Sequence, residues 1–243
     1  MPVIITSLNP RNTDIQPLAI KSWLENNYKI LSVNAIQELN YLPVINGVVI
    51  YPTDKTAFEL TGKIVPNLFP IIKLAQKQDG VVIIMNSDIY LKQDSVFHKI
   101  ISGIKPGEFW FGRRTDVDSL IIFNNKWNDI YGWDWFAFHS DDANKLSEGS
   151  ITFYIGEPCW DIWLPIRAIW SGLRMFNVER ENCYHYRHDR AWSVAKYNMY
   201  ASALKWWLMD QGDIANYTPY EDPQGLIDWT RNYIYENSYR ITG

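Results

Sequence analysis

Runs of apolar residues alternate with apolar residues at helical spacing along residues 2–112. Residues 2–6, Pro-Val-Ile-Ile-Thr, form a continuous β-rich run that closes at Ser7-Leu8-Asn9-Pro10. This predicts a buried strand leaving a sheet through a turn. Ile15, Leu18, Ala19 and Trp23 then recur at helical spacing, and Asn26-Asn27 supply a stop before a second strand over Tyr28 to Val33. Gly47 to Tyr51 predicts a third strand ending at Pro52-Thr53-Asp54. Val65 to Gln78 predicts a helix with Leu68, Ile71, Ile72 and Ala75 on one face, Pro66 in its first turn and a bend at Pro70. The most apolar segment, Gly80 to Met85, runs straight into Asn86-Ser87-Asp88. A helix over Ser95 to Ile104 and a strand over Glu108 to Gly112 complete the first half.

Strands alternating with helices predict an α/β fold, a mostly parallel central sheet with helices on both faces. The second half has a different texture. It predicts strands near Trp135 to Phe138 and Ile151 to Ile155, and long helices from about 158 and 191. No Gly/Ser-rich or charge-run linker separates the halves, so a single domain over 1–243 is expected, with 1–120 and 121–243 as its two halves. Ligands of open α/β sheets bind beyond the carboxyl ends of the strands. That directs attention to Ser7–Pro10, Asn34–Glu38, Pro52–Lys55 and Asn86–Asp88.

A formal net charge of -4 leaves no basic surplus for a polyanion, which argues against nucleic acid as a partner. No apolar run is long enough to span a membrane and the start lacks a basic leader, so cytoplasmic residence is expected, with peripheral membrane contact left open. Cys159 and Cys183 are too few for a disulfide framework and read as buried thiols. Twelve tryptophans are unusual, and Trp127, Trp133, Trp135, Trp160 and Trp163 lie close together in sequence. They read either as core or as rings that stack on sugar faces.

Five groups of residues bear on chemistry. Asn86-Ser87-Asp88 reads as a turn, or as a carboxylate at the end of the most buried strand, aimed into the ligand crevice. Asp134, between Trp133 and Trp135, reads as a hydrogen-bonded structural group or a ligand of sugar hydroxyls. Gly156-Glu157-Pro158-Cys159-Trp160-Asp161 opens a helix, with Glu157 and Asp161 near its positive end. Tyr184-His185-Tyr186-Arg187-His188-Asp189-Arg190 concentrates His and Arg in an acidic chain, which suits a diphosphate. Arg113-Arg114, after the strand that ends at Gly112, reads as a second phosphate clamp or as exposed charge.

The segment Val81-Val82-Ile83-Ile84-Met85-Asn86-Ser87-Asp88-Ile89 resembles the strand and D-x-D motif of GT-A glycosyltransferases, the nucleotide-diphospho-sugar transferase superfamily. Ile4-Ile5-Thr6-Ser7-Leu8-Asn9-Pro10 is similar to that family's first strand and nucleotide-binding loop. The resemblance covers roughly the first 120 residues at the level of pattern. It implies a Mn2+ or Mg2+ ion bridging the donor diphosphate, held by Asp88 and, on the later side of the chain, His188. It implies donor contacts from Thr6, Ser7, Asn9, Asn34, Asp54, Asn86, Ser87, Arg113, His185 and Arg190. Asp161 or Asp134 would deprotonate the acceptor hydroxyl. Asn86 replaces the first Asp of the motif and leaves one carboxylate there.

The function expected on these grounds is transfer of a sugar from a nucleoside diphosphate sugar to a hydroxyl of a glycan or small-molecule acceptor. A sugar-phosphate nucleotidyltransferase is the alternative, although Ser7-Leu8-Asn9-Pro10-Arg11 lacks that family's glycine-rich loop. A non-catalytic carbohydrate-binding protein would account for the tryptophans but not for the alternating first half. A retaining glycoside hydrolase would need two carboxylates about 5 Å apart.

Overall fold

A computed structural model describes residues 1–93, 96–120, 133–149, 152–179, 183–187, 193–210 and 223–242. In the first half, β1 (Val3–Thr6), α1 (Ile15–Glu25), β2 (Lys29–Ala35) and β3 (Val48–Thr53) are followed by a single turn, α2 (Phe58–Thr61), and α3 (Leu68–Ala75). Next come β4 (Val81–Met85), β5 (Ile89–Leu91), α4 (Val96–Gly103), β6 (Glu108–Gly112) and β7 (Thr115–Val117). The second half contributes β8 (Trp135–His139), α5 (Ala143–Leu146), α6 (Trp160–Trp170), β9 (Arg174–Val178) and β10 (Cys183–Tyr186). It closes with α7 (Val194–Asp210), α8 (Pro223–Glu236) and β11 (Ser238–Ile241).

Eight strands form one sheet in the order β11-β9-β6-β8-β4-β1-β2-β3. Every neighbouring pair is parallel except those of β8, which runs antiparallel between β4 and β6. Alternation along each strand divides the core between the two faces. Val3, Ile5, Val82, Ile84, Phe109, Phe111, Phe136 and Phe138 pack with α3, α5, α6, α7 and α8 on one face. Ile4, Ile83, Met85, Trp135 and Ala137 pack with α1 and α4 on the other. Strands buried on both faces must be apolar at every position, which is why β1 and β4 read as unbroken runs. Burying each Val, Ile or Phe side chain contributes about 1.5–3 kcal/mol before chain entropy is counted.

Three expectations change. The helix expected over 65–78 starts later, because the Asn67 side chain accepts the Phe69 amide at 2.7 Å and caps it there. Pro66 lies ahead of the helix in a bridge with Thr56. Pro70 falls within the first turn, where no N–H has an intrahelical partner to lose. The strand expected near Ile151 to Ile155 reduces, over its described residues, to the bridge Asn67–Tyr154, because the chain turns at Gly156 with φ 77°. The third change is β5, β7 and β10, which form a separate three-stranded sheet in the order β5-β10-β7.

Four of the five clustered tryptophans lie in the core. Trp133, Trp135, Trp160 and Trp163 are 3% exposed or less, so none of the four presents a face to a sugar. Trp127 lies outside the described residues. Gly112 shows how tightly one of them packs, since a Cβ there would meet the Trp135 ring at 2.6 Å. Both cysteines are buried and free, and no helix among the described residues is long and apolar enough to cross a membrane.

Candidate functional site

The small sheet builds the site. After β4, Asn86-Ser87-Asp88 leads directly into β5, and β10 lies between β5 and β7. The register pairs His185 with Ile89 on one side and with Asp116 on the other. His185 is thereby held between two carboxylates. Its Nδ1 is 2.8 Å from Asp116 Oδ1 and its Nε2 is 3.4 Å from Asp88 Oδ2.

Arg114 extends the network across the end of the main sheet. Its Nε donates to Asp116 Oδ1 at 2.9 Å and its Nη1 to Asp134 Oδ1 at 2.7 Å. Asn86 Nδ2 lies 3.5 Å from the same Asp134 oxygen, which closes the circuit back to the end of β4. Asp134 reaches this position because it directly precedes β8, whose antiparallel pairing sets Trp135 against both Met85 and Gly112.

The charges in this circuit are tuned by one another. Burial works against a charge on His185, but its hydrogen bonds to Asp116 and Asp88 outweigh it, and the imidazole is pushed up to about 9. Burial alone would raise Asp116, yet His185 and Arg114 hold its carboxyl below the usual range. Arg114 overcomes its own burial through Asp134 and Asp116 and keeps its proton more firmly than a free guanidinium.

Asp161 stands in the first turn of α6. Burial pushes its carboxyl up to about 6 and the nearby Asp134 adds to this, against the opposing pull of Arg231 and the backbone amides of Asp161 and Trp133. A carboxyl that exchanges its proton near neutral pH suits proton transfer. Glu157, the other acid at this helix start, has a fully buried side chain with Lys63 Nζ at 2.7 Å and Lys196 Nζ at 3.3 Å. That ties it into ion pairs.

The structure thus brings together Asn86, Asp88, Asp134, Asp161 and His185. His188 and Arg190 lie outside the described residues. Asn34 is fully buried, its side chain accepting from Ser32 Oγ at 2.6 Å and donating to the Leu8 carbonyl at 2.8 Å, so it anchors the loop after β1 and does not face solvent. Thr6 is also fully buried, and its hydroxyl has no hydrogen-bond partner among the described residues. Ser7 is half-buried, Asn9 exposed and Ser87 buried. Asp54 is exposed at the end of β3, three strand spacings from β4 or about 14 Å, which separates it from the carboxylate circuit. Arg113 turns away from Arg114 and sits over the Tyr235 ring at 5.4 Å.

Asp116 and Arg231 were not singled out from sequence. Arg114-Thr115-Asp116 carries one hint of the network, because residues two apart in a strand share a face.

The divalent cation implied by the resemblance requires several hard oxygen ligands. Among the described residues no group of three His, Cys, Asp or Glu side chains is arranged to hold a metal ion. Asp116 and Asp134 face Arg114, and both ring nitrogens of His185 face carboxylates. The described side chains alone do not fit a metal centre, and no step below passes through one.

No family model and no curated protein matches this sequence. Many solved structures are similar at low identity, three of them as follows. One is the inositol-1-phosphate CTP transferase from T. maritima, with TM-score 0.48 and 9% identity, covering 80% of this chain and 92% of that chain. A second is Rv0371C from Mycobacterium tuberculosis H37Rv in complex with manganese, with TM-score 0.47 and 11% identity, covering 82% and 95%. The third is a protein assigned as a glucose-1-phosphate thymidylyltransferase from Bacillus anthracis, in complex with a sucrose, with TM-score 0.46 and 7% identity, covering 74% and 87%.

Proposed function

We propose that this chain is a transferase acting on a nucleotide-activated sugar, and that it moves the sugar onto a hydroxyl of a glycan or small-molecule acceptor. The observation that carries this reading is the convergence of Asp88, His185, Arg114, Asp134 and Asp161 beyond the carboxyl end of β4. The donor would lie on the loops after β1 and β4, with the Arg114 and His185 side facing its diphosphate. The acceptor would lie towards α6, where Asp161 takes the hydroxyl proton as the bond to the sugar forms. Removing that proton raises the nucleophilicity of the oxygen in the transition state, an effect typically worth 10²–10⁴ in rate.

The second reading is sugar-phosphate nucleotidyl transfer, the activity that two of the three solved structures carry in their names. It uses the same strand ends with a nucleoside triphosphate in place of the nucleotide sugar. The loop after β1 contains no glycine, unlike the loop that chemistry favours.

A thermal-shift screen of nucleoside triphosphates, nucleoside diphosphates and nucleotide sugars, run with Mn2+, with Mg2+ and with chelator, tests both readings. Ligand linkage raises the melting temperature only for species that the native state binds. Release of nucleoside diphosphate from a nucleotide sugar supports glycosyl transfer. Release of pyrophosphate from a triphosphate and a sugar phosphate replaces it with the second reading. No shift with any nucleotide overturns both. The chelator arm decides whether a divalent cation contributes to binding.

A further inference from the structure

A second group of charges gathers on the opposite side of the same strand ends. Neighbouring residues of an extended chain point to opposite sides, and Arg113 and Arg114 do so here. Arg114 joins the circuit of Asp116 and Asp134, whereas Arg113 reaches towards the helices and lies over Tyr235 at 5.4 Å. Arg240 from β11 approaches the same ring at 5.7 Å. Arg231 precedes Tyr235 by one helical turn on α8, so both occupy one helix face.

The three guanidiniums differ in their partners. Arg240 has Glu179 at 3.7 Å, and Arg231 has Asp228 at 3.5 Å. Arg113 is half-buried and has no hydrogen bond or salt bridge among the described residues. A partly desolvated guanidinium is costly unless an anion meets it, and its fork of N–H donors matches tetrahedral and planar oxyanions. Stacking on Tyr235 restrains the group before any ligand arrives, which lowers the ordering cost of binding. Burial and the like charge of Arg231 both disfavour the ionised form of Arg113, with Glu179 opposing them, and an anion between the two guanidiniums would relieve that repulsion.

Arg231 also acts electrostatically on Asp161, which sets this guanidinium on the side of the proposed base. We propose that Arg113 and Arg231 bind an oxyanion carried by the second substrate, a phosphate ester, next to Asp161. The inference rests on the transferase reading only in calling that ligand the second substrate. The site itself is defined by the arginines and Tyr235.

Isothermal titration of the full chain with glucose 1-phosphate, glucose 6-phosphate, inorganic phosphate and glucose tests it. UDP, GDP, CDP, ADP and dTDP are titrated separately. The sugar phosphates are expected to bind and glucose is not. Arg113→Gln should weaken sugar-phosphate affinity about tenfold or more, the scale of one lost hydrogen bond between charged groups, and leave nucleoside diphosphate affinity unchanged. Arg231→Gln should weaken it in the same direction, and Arg113→Lys should recover part of the loss. Circular dichroism confirms that each variant folds, and if Arg113→Gln does not, the Arg231→Gln comparison decides.

An Arg113→Gln effect below about twofold on sugar phosphates overturns the proposal, since a charged hydrogen bond is worth more than that. So does an equal loss of nucleoside diphosphate affinity, which would assign Arg113 to the donor, and so does binding of glucose as tight as that of its phosphates. If sugar phosphates bind through Arg113 while no nucleotide binds, the transferase reading fails and the oxyanion site stands.

Discussion

His185 and Asp116 face each other across the parallel pair of β10 and β7, with Nδ1 2.8 Å from Oδ1, and the same oxygen accepts Arg114 Nε at 2.9 Å. One carboxylate oxygen thus couples the imidazole that reaches Asp88 to the guanidinium that reaches Asp134. The circuit depends on β10 entering between β5 and β7.

The raised imidazole makes stability depend on pH. His185 titrates near 9 when folded against about 6.5 when unfolded, so its contribution is fully present below 6.5 and is lost as pH rises through 9. Thermal melts between pH 6 and 10 should show the melting temperature falling across that window, and His185→Gln should flatten the fall. The linked free energy is on the order of 3 kcal/mol. A wild-type curve that is level from pH 6.5 to 9 would remove His185 from its assigned charge state.

Asp161 has the opposite chemistry and the same sign. Its folded carboxyl titrates near 6, above the ordinary Asp value, so the native state is favoured at low pH and loses that advantage as pH rises through 6. As a general base Asp161 acts only when ionised, so activity should rise through the same pH. Asp161→Asn should lower kcat about a hundredfold or more, abolish that rise and leave donor affinity within about twofold. A variant that retains the acidic limb of its pH profile places the base elsewhere.

Arg114→Met tests the centre of the network. It leaves Asp116 and Asp134, with side chains 16% and 9% exposed, without the cation between them. Removing one partner from a buried charge network costs about 3–5 kcal/mol. Urea denaturation should show a lower midpoint, and Arg114→Met/Asp134→Asn should recover part of the loss. If the single variant is as stable as wild type, the pairings with Arg114 carry no net energy.

Gly112→Ala probes packing alone. The added methyl meets the buried Trp135 ring at 2.6 Å. Overpacking of this kind costs about 1–3 kcal/mol. A melting temperature lowered by several degrees, with near-ultraviolet circular dichroism altered through Trp135, is the expected outcome. An unchanged melting temperature would mean that the ring moves aside freely.

The elements legible in sequence are those whose signal is local. β1 and β4 are runs of apolar β-branched residues because both of their faces are buried. α1 and α3 show helical spacing because one face of each packs on the sheet. Asp88 and Asp134 could be singled out because each adjoins such a strand, and Asp161 because it opens a helix. Errors arose where local signals compete. Phe153 to Ile155 are as apolar as a strand but turn at Gly156, and Pro70 looks like a helix bend until the Asn67 cap places it in the first turn. Trp133, Trp135, Trp160 and Trp163 gave no local clue to their burial, since a ring in a core and a ring on a sugar have the same composition.

The amino-acid sequence alone determined the alternating α/β order, the apolar central strands and the positions where polar residues leave them, because these follow from backbone geometry and burial over a few neighbouring residues. Only the tertiary structure decided that His185 meets Asp88 and Asp116, that Arg114 bridges to Asp134, and that Arg113 turns the other way to Tyr235. The strands that make these contacts, β5 and β7, have three residues each and β10 has four, too short to carry a period. The partners lie from 20 to 122 positions apart, and no spacing rule relates residues joined only by the tertiary fold.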